Sequence, residues 1–126
     1  MKLLYLALIT LAVNAVDPIV DFAGLIGKGN IHELAKSFAP TVELTINDAT
    51  NTYSKAQAEL VLAEFFNQNK PISSTMLHKI NSGTNFRLGV VILKTDKGPF
   101  RAAFTLKEID GSLKLIELRL ETEKVR

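Results

Sequence analysis

The second half of the chain alternates apolar and polar residues in segments broken by turn signals, and that pattern leaves little choice but an antiparallel sheet. Residues 75–81, 86–95, 100–109 and 113–121 read as three strands, or four, beyond one earlier strand. Gly83, Asp96-Lys97-Gly98 and Asp110-Gly111 separate them. Asp96-Lys97-Gly98 suits a three-residue hairpin loop with glycine in the left-handed position. Such a loop pairs Thr95 with Pro99, and so Ile92 with Ala102, Val90 with Phe104 and Leu88 with Leu106. All of these except the loop pair are apolar, so this face is expected to be buried. Ile116, Leu118 and Leu120 join it from the last strand, given an odd loop or a bulge near Gly111. The other face then carries Arg87, Gly89, Val91, Leu93, Arg101, Ala103, Thr105 and Lys107, with Glu117, Arg119 and Glu121 beside them.

Helices come first in the chain. Asp17-Pro18 is an N-cap followed by proline at the first helical position, where a missing N–H costs nothing. Ile19, Phe22, Ala23 and Ile26 share one face, and Gly29 stops the helix. Asn30 with Glu33 opens a short second helix whose buried face is Ile31, Leu34, Ala35 and Phe38, with Pro40 ending it. Val42 to Ile46 alternates as a strand, and residues 47–51 read as a polar turn region. Ser54 and Gln57 form a capping box ahead of the longest helix, striped by Ala58, Val61, Leu62, Phe65 and Phe66 and closed by Asn69 and Pro71. Helices followed by a long sheet with one apolar face imply an α+β domain with the helices in the sheet's concavity.

Residues 1–15 look different from the rest. Lys2 precedes an uncharged run, LLYLALITLAV, and Val13-Asn14-Ala15 ends it on small residues. This is the layout of a secretory signal peptide cleaved after Ala15, with one domain over residues 16–126. The product is expected in the periplasm or outside the cell. The uncharged stretch is shorter than the roughly 20 residues a spanning helix needs, so no stable membrane anchor is expected. There is no cysteine, which excludes disulfides, thiolate metal sites and the lipoprotein anchor. A net charge of +2 gives no reason to expect nucleic acid as a partner.

The residues Lys28-Gly29-Asn30, Leu34-Ala35-Lys36-Ser37-Phe38, Val42-Glu43-Leu44, Tyr53-Ser54-Lys55-Ala56-Gln57-Ala58 and Phe65-Phe66 resemble a family of small exported bacterial proteins of unknown function. His78, Gly89, Thr95, Gly98, Phe100-Arg101 and Leu118-Arg119-Leu120-Glu121 extend the resemblance. That family looks like a member of the cone-shaped, cystatin-like superfamily that includes nuclear transport factor 2 and ketosteroid isomerase. The resemblance implies a curved antiparallel sheet wrapped around N-terminal helices. It implies no activity, because the family itself has none assigned and the superfamily spans isomerases, dehydratases, epoxide hydrolases and non-catalytic binding or dimerising domains.

Two polar residues are candidates for a pocket inside the cone. His78 shares a face with Met76 and Ile80 by alternation, and a histidine in an apolar cavity can act as a general base. The structural alternative is a core or rim histidine satisfied by a backbone group. Tyr53, just ahead of the long helix, can aim its hydroxyl into the cone mouth or pack as the apolar lead-in to the helix cap. An isomerase also needs a carboxylate inside the cone, and none falls on the 86/88/90/92 face. Two histidines and no cysteine leave a metal site or other cofactor unsupported. Val91, Leu93 and Ala103 among Arg101 and Arg119 make the outer sheet face a candidate dimer or partner surface. The expected function is therefore a non-catalytic module, homodimeric through its outer sheet face and binding a small apolar ligand or a protein. The alternative is a lyase or isomerase of a small hydrophobic substrate, with His78 as base and Tyr53 as donor.

Overall fold

Asp17 opens the first helix, α1 (Pro18–Lys28), by accepting a hydrogen bond of 2.9 Å from Ile19 N–H, and Gly29 closes it at φ +64°. A computed structural model describes residues 17–81 and 85–124. The signal-peptide reading of residues 1–15 falls outside the described residues. Asn30 caps α2 (Ile31–Ala35) through Glu33 N–H. The sheet then begins earlier than expected: β1 spans Phe38–Ile46 and contains both Phe38 and Pro40. Proline is tolerated because the β1–β6 ladder skips from Phe38 to Glu43 and the β1–β2 ladder starts at Thr41.

After the Asn47-Asp48 turn comes a strand that the polar sequence concealed, β2 (Ala49–Ser54). It is the sheet's edge, exposed except at Tyr53, so no buried face imprinted alternation on it. Ser54 caps α3 (Lys55–Gln68) in a complete capping box with Gln57. Ser54→Ala should lower stability by about 1 kcal/mol, read by thermal unfolding, and Ser54→Asp should keep it. The remaining strands are β3 (Pro71–Asn81), β4 (Phe86–Thr95), β5 (Gly98–Ile109) and β6 (Ser112–Thr122). They form one curved, unclosed sheet in the order β2-β1-β6-β5-β4-β3. β1 and β6 run parallel and every other pair is antiparallel.

The β4–β5 register differs from the expected one by one residue. Thr95 pairs with Gly98, so Asp96-Lys97 is a two-residue connection. Thr95 Oγ1 holds it, donating to Gly98 C=O at 2.7 Å and accepting from Lys97 N–H at 3.1 Å. Asp96 is also tied to the start of β3 by two bonds with the Lys70 backbone. Because side chains alternate with period two, a slip of one residue turns all of β4 over. Val91 and Leu93, expected on the outer face, are fully buried, opposite Ala102 and Phe100. Leu88, Val90 and Ile92, expected inside, lie half-buried on the outer face, opposite Thr105, Ala103 and Arg101.

The β5 half of the expectation stands: Ala102, Phe104 and Leu106 are core, and Phe100 joins them. In β6 the buried residues are Leu115, Leu118 and Leu120, with Ile116 only half-buried. A register shift between Thr105 and Leu106 supplies the required bulge, some residues beyond Gly111. Asp110 at φ +51° and Gly111 at φ +83° then make a tight two-residue turn.

The helices fill the concavity. Phe22 of α1 meets Phe104 with ring centroids 4.7 Å apart, and Phe65 of α3 meets Phe66 and Phe100 at 5.3 and 5.1 Å. α1 approaches β3 closely at Gly27, and Ser74 Oγ donates to Ala23 C=O at 3.0 Å.

Candidate functional site

The interior of the cone is apolar. Thr45 and Thr95 are the buried polar residues among those described, and no buried side-chain polar atom there lacks a hydrogen-bond partner. Thr45 and Thr50 share a hydroxyl–hydroxyl bond of 2.9 Å. No described carboxylate or imidazole is buried inside.

His78 does not point into the cone. A bulge falls between Met76, which pairs with Val91, and His78, which pairs with Val90. The extra residue, Leu77, breaks the alternation on which the inward placement of His78 depended. Met76 packs against the core, while His78 is exposed on the outer face, in register with outward-facing Val90. Tyr53 is half-buried on β2, paired with buried Val42 and packed on the core. β2 and β3 are opposite edges of the sheet. Five strand spacings separate them, about 24 Å along the sheet. The two residues lie on opposite edges of the sheet, His78 outward and Tyr53 against the core, so the described geometry does not bring them together as base and donor.

Among the described residues, clefts open at several places on the surface. One of about 460 Å³ is lined by Ala39, Pro40, Thr41, Glu43, Thr52, Lys107, Ile109 and Ile116. One of about 560 Å³ is lined by Asn47, Asp48, Glu121, Thr122 and Lys124. A groove of about 210 Å³ runs between Ile46 and α3, against Val61, Glu64, Phe65 and Gln68. None of the three is lined by His78 or Tyr53. Among the described residues no group of three or more histidines and carboxylates could hold a metal ion, and no helix is long and apolar enough to cross a membrane.

The outer sheet face carries the most distinctive surface. Cross-strand rows run His78–Val90–Ala103–Arg119 and Ile80–Leu88–Thr105–Glu117, with Ile92–Arg101–Glu121 alongside. Its β3–β4 half is therefore aliphatic: Ile80, Leu88, Val90 and Ile92, continued by Ala103. Ile80 is 50% exposed, and Phe86, which also presents 38% of its surface, has Lys107 Nζ 5.7 Å from its ring. The charged half is internally balanced. Arg101 grips Glu123 with two bonds of 2.9 and 3.0 Å, and Arg119 reaches Glu121 at 2.7 Å. Arg101 holds the Glu123 carboxyl below the usual carboxylate range.

Arg101, Ala103 and Arg119 thus occupy the face expected of them. Leu88, Val90, Ile92 and Ile80 replace Val91 and Leu93 as its apolar members. One signal for them was present in the sequence: Gly89, a glycine inside a strand, marks a close approach from the buried side. Gly89 faces Phe104 across the ladder.

A curved, open sheet wrapped on N-terminal helices defines a nuclear transport factor 2-like α+β domain. The chain belongs to the DUF4783 family, a domain of unknown function whose model matches residues 19–121. A DUF4783 family protein from Bacteroides ovatus superposes with a TM-score of 0.76 at 22% identity, covering 85% of this chain and 93% of that one. A chain described as "Rd1NTF2_04 with long sheet" gives 0.64 at 15% identity, covering 81% and 95%. A putative polyketide cyclase from Sinorhizobium meliloti gives 0.62 at 14% identity, covering 85% and 96%. No curated protein matches the chain.

Proposed function

We propose that the protein is an exported, non-catalytic binding module that works as a homodimer joined through the outer face of its sheet. The observation that carries this reading is the aliphatic strip Ile80–Leu88–Val90–Ile92–Ala103 on that face. Covering such a strip recovers its hydration cost. A second copy suits it because a two-fold axis lays the strip on itself. The arginines beside it already have carboxylate partners within the chain, so the face shows no surplus charge there to select an acidic partner. Export is supported by the leader-like residues 1–15.

The interior supports a non-catalytic reading, since acid–base chemistry needs a titratable group beside the substrate and the described core is aromatic and aliphatic. The groove at Ile46, Val61 and Phe65 is mainly apolar, but at about 210 Å³ it falls below the roughly 300–1,000 Å³ of ordinary ligand pockets, and the larger cleft of about 460 Å³ carries Glu43 and Lys107 among its apolar lining. A protein partner therefore fits better than a small apolar ligand.

Sedimentation velocity at micromolar concentration should show a dimer. Val90→Glu places a charge at the centre of the strip and should raise the dissociation constant roughly 30-fold or more, with an unchanged circular dichroism spectrum. A wild-type protein that stays strictly monomeric would remove the homodimer.

A further inference from the structure

We infer that contact between the two copies is gated by His78, whose protonation releases the partner in acid. The inference rests on the homodimer reading above. The bulge after Met76 turns His78 outward, into the cross-strand row of Val90 and Ala103 and two residues from Ile80. Bulges often serve to re-aim a side chain in this way. The imidazole is exposed, and among the described residues no hydrogen bond or ion pair engages it.

Among the charges that share its face, no carboxylate lies in the cross-strand row of His78. On β4 the charge along the face is Lys94. Arg101 and Lys107 on β5 and Arg119 on β6 follow, the two arginines each already matched by a glutamate and Lys107 lying over the Phe86 ring. Glu117 lies beyond Thr105 on β6, and Glu43 further still on β1. On the opposite side of β3, Lys79 pairs with Asp17 at the start of α1, so that carboxylate is already engaged.

In the separated protomer a protonated His78 is solvated by water. In the joined pair it would sit among the aliphatic side chains of both copies, where burial disfavours the charged form. The separated state therefore binds protons better, and lowering the pH shifts the equilibrium toward it. Imidazole is the side chain that changes charge between about pH 5 and 8, so the transition falls in that window. One His78 enters from each copy, and a tenfold penalty for each gives about a hundredfold rise in the dissociation constant.

The test is sedimentation of the purified protein at about pH 7.5 and pH 5, a window that brackets imidazole titration. Circular dichroism at both values checks that the fold persists. Wild type should dissociate about a hundredfold more readily in acid. His78→Gln and His78→Leu should remain dimeric at both values, and His32→Gln, altering the histidine on α2, should behave as wild type. A wild-type dimer indifferent to pH, or a His78→Leu dimer that still falls apart in acid, would overturn the gate and leave the homodimer standing. Monomers at both values would remove the homodimer and the gate together.

Discussion

Gly89→Ala is expected to destabilise the domain by about 2–3 kcal/mol, a fall in Tm of roughly 10–20 °C. The change adds one methyl group at the middle of β4. That carbon would lie 2.3 Å from Phe104 Cζ and 2.8 Å from both Cε atoms, far inside van der Waals contact. The ring has little room to retreat. Phe104 is 1% exposed and lies against Phe22 on the buried face of α1. Lower entropy of the unfolded chain offsets only about 0.4–1 kcal/mol of the cost. Urea titration of Gly89→Ala, Phe104→Leu and the double variant would isolate the contact. Shortening the ring should relieve the clash, so the double variant should be more stable than the two single losses predict, by about 1–3 kcal/mol. Wild-type stability for Gly89→Ala would show that the glycine is not needed for this approach.

Val91→Glu should have the larger effect still. Val91 is fully buried opposite Ala102, with no cation among its core neighbours. An unpaired carboxylate there should cost about 3–5 kcal/mol. Domains of this kind are stable by roughly 5–15 kcal/mol, so much of the margin would go. Val90→Glu, one residue away on the outer face, should leave the protomer within about 1 kcal/mol of wild type and act on association instead. Equilibrium unfolding of the two variants decides the β4 register. If Val90→Glu were the unfolding variant and Val91→Glu the tolerated one, the strand would have to be turned over.

The contrast between these neighbours also shows where the sequence is readable. The caps at Asp17, Asn30 and Ser54, the stop at Gly29 and the stripes of α1 and α3 were all legible. Each is a local rule, satisfied by residues within a turn or two of one another. β2 was not legible, because an exposed edge strand has no buried side to impose a pattern. His78 and Tyr53 were recognisable as the polar residues to weigh, but not as groups on opposite edges of the sheet. That separation follows from strand order, which local periodicity does not encode.

The sequence by itself determined the α+β class, the starts of all three helices and the ends of α1 and α3, the β4, β5 and β6 segments, and an outer face bearing Arg101, Ala103 and Arg119. The alternating segments from which the antiparallel sheet was read are all strands. Tertiary structure decided which side of each strand is which. The Thr95 hydroxyl and the Lys70–Asp96 bonds set the loop at two residues, and the bulge at Leu77 added one to β3. Each change is a single residue. In a structure of period two, a single residue moves Val91 and Leu93 into the core and brings Val90 and His78 out onto the outer face.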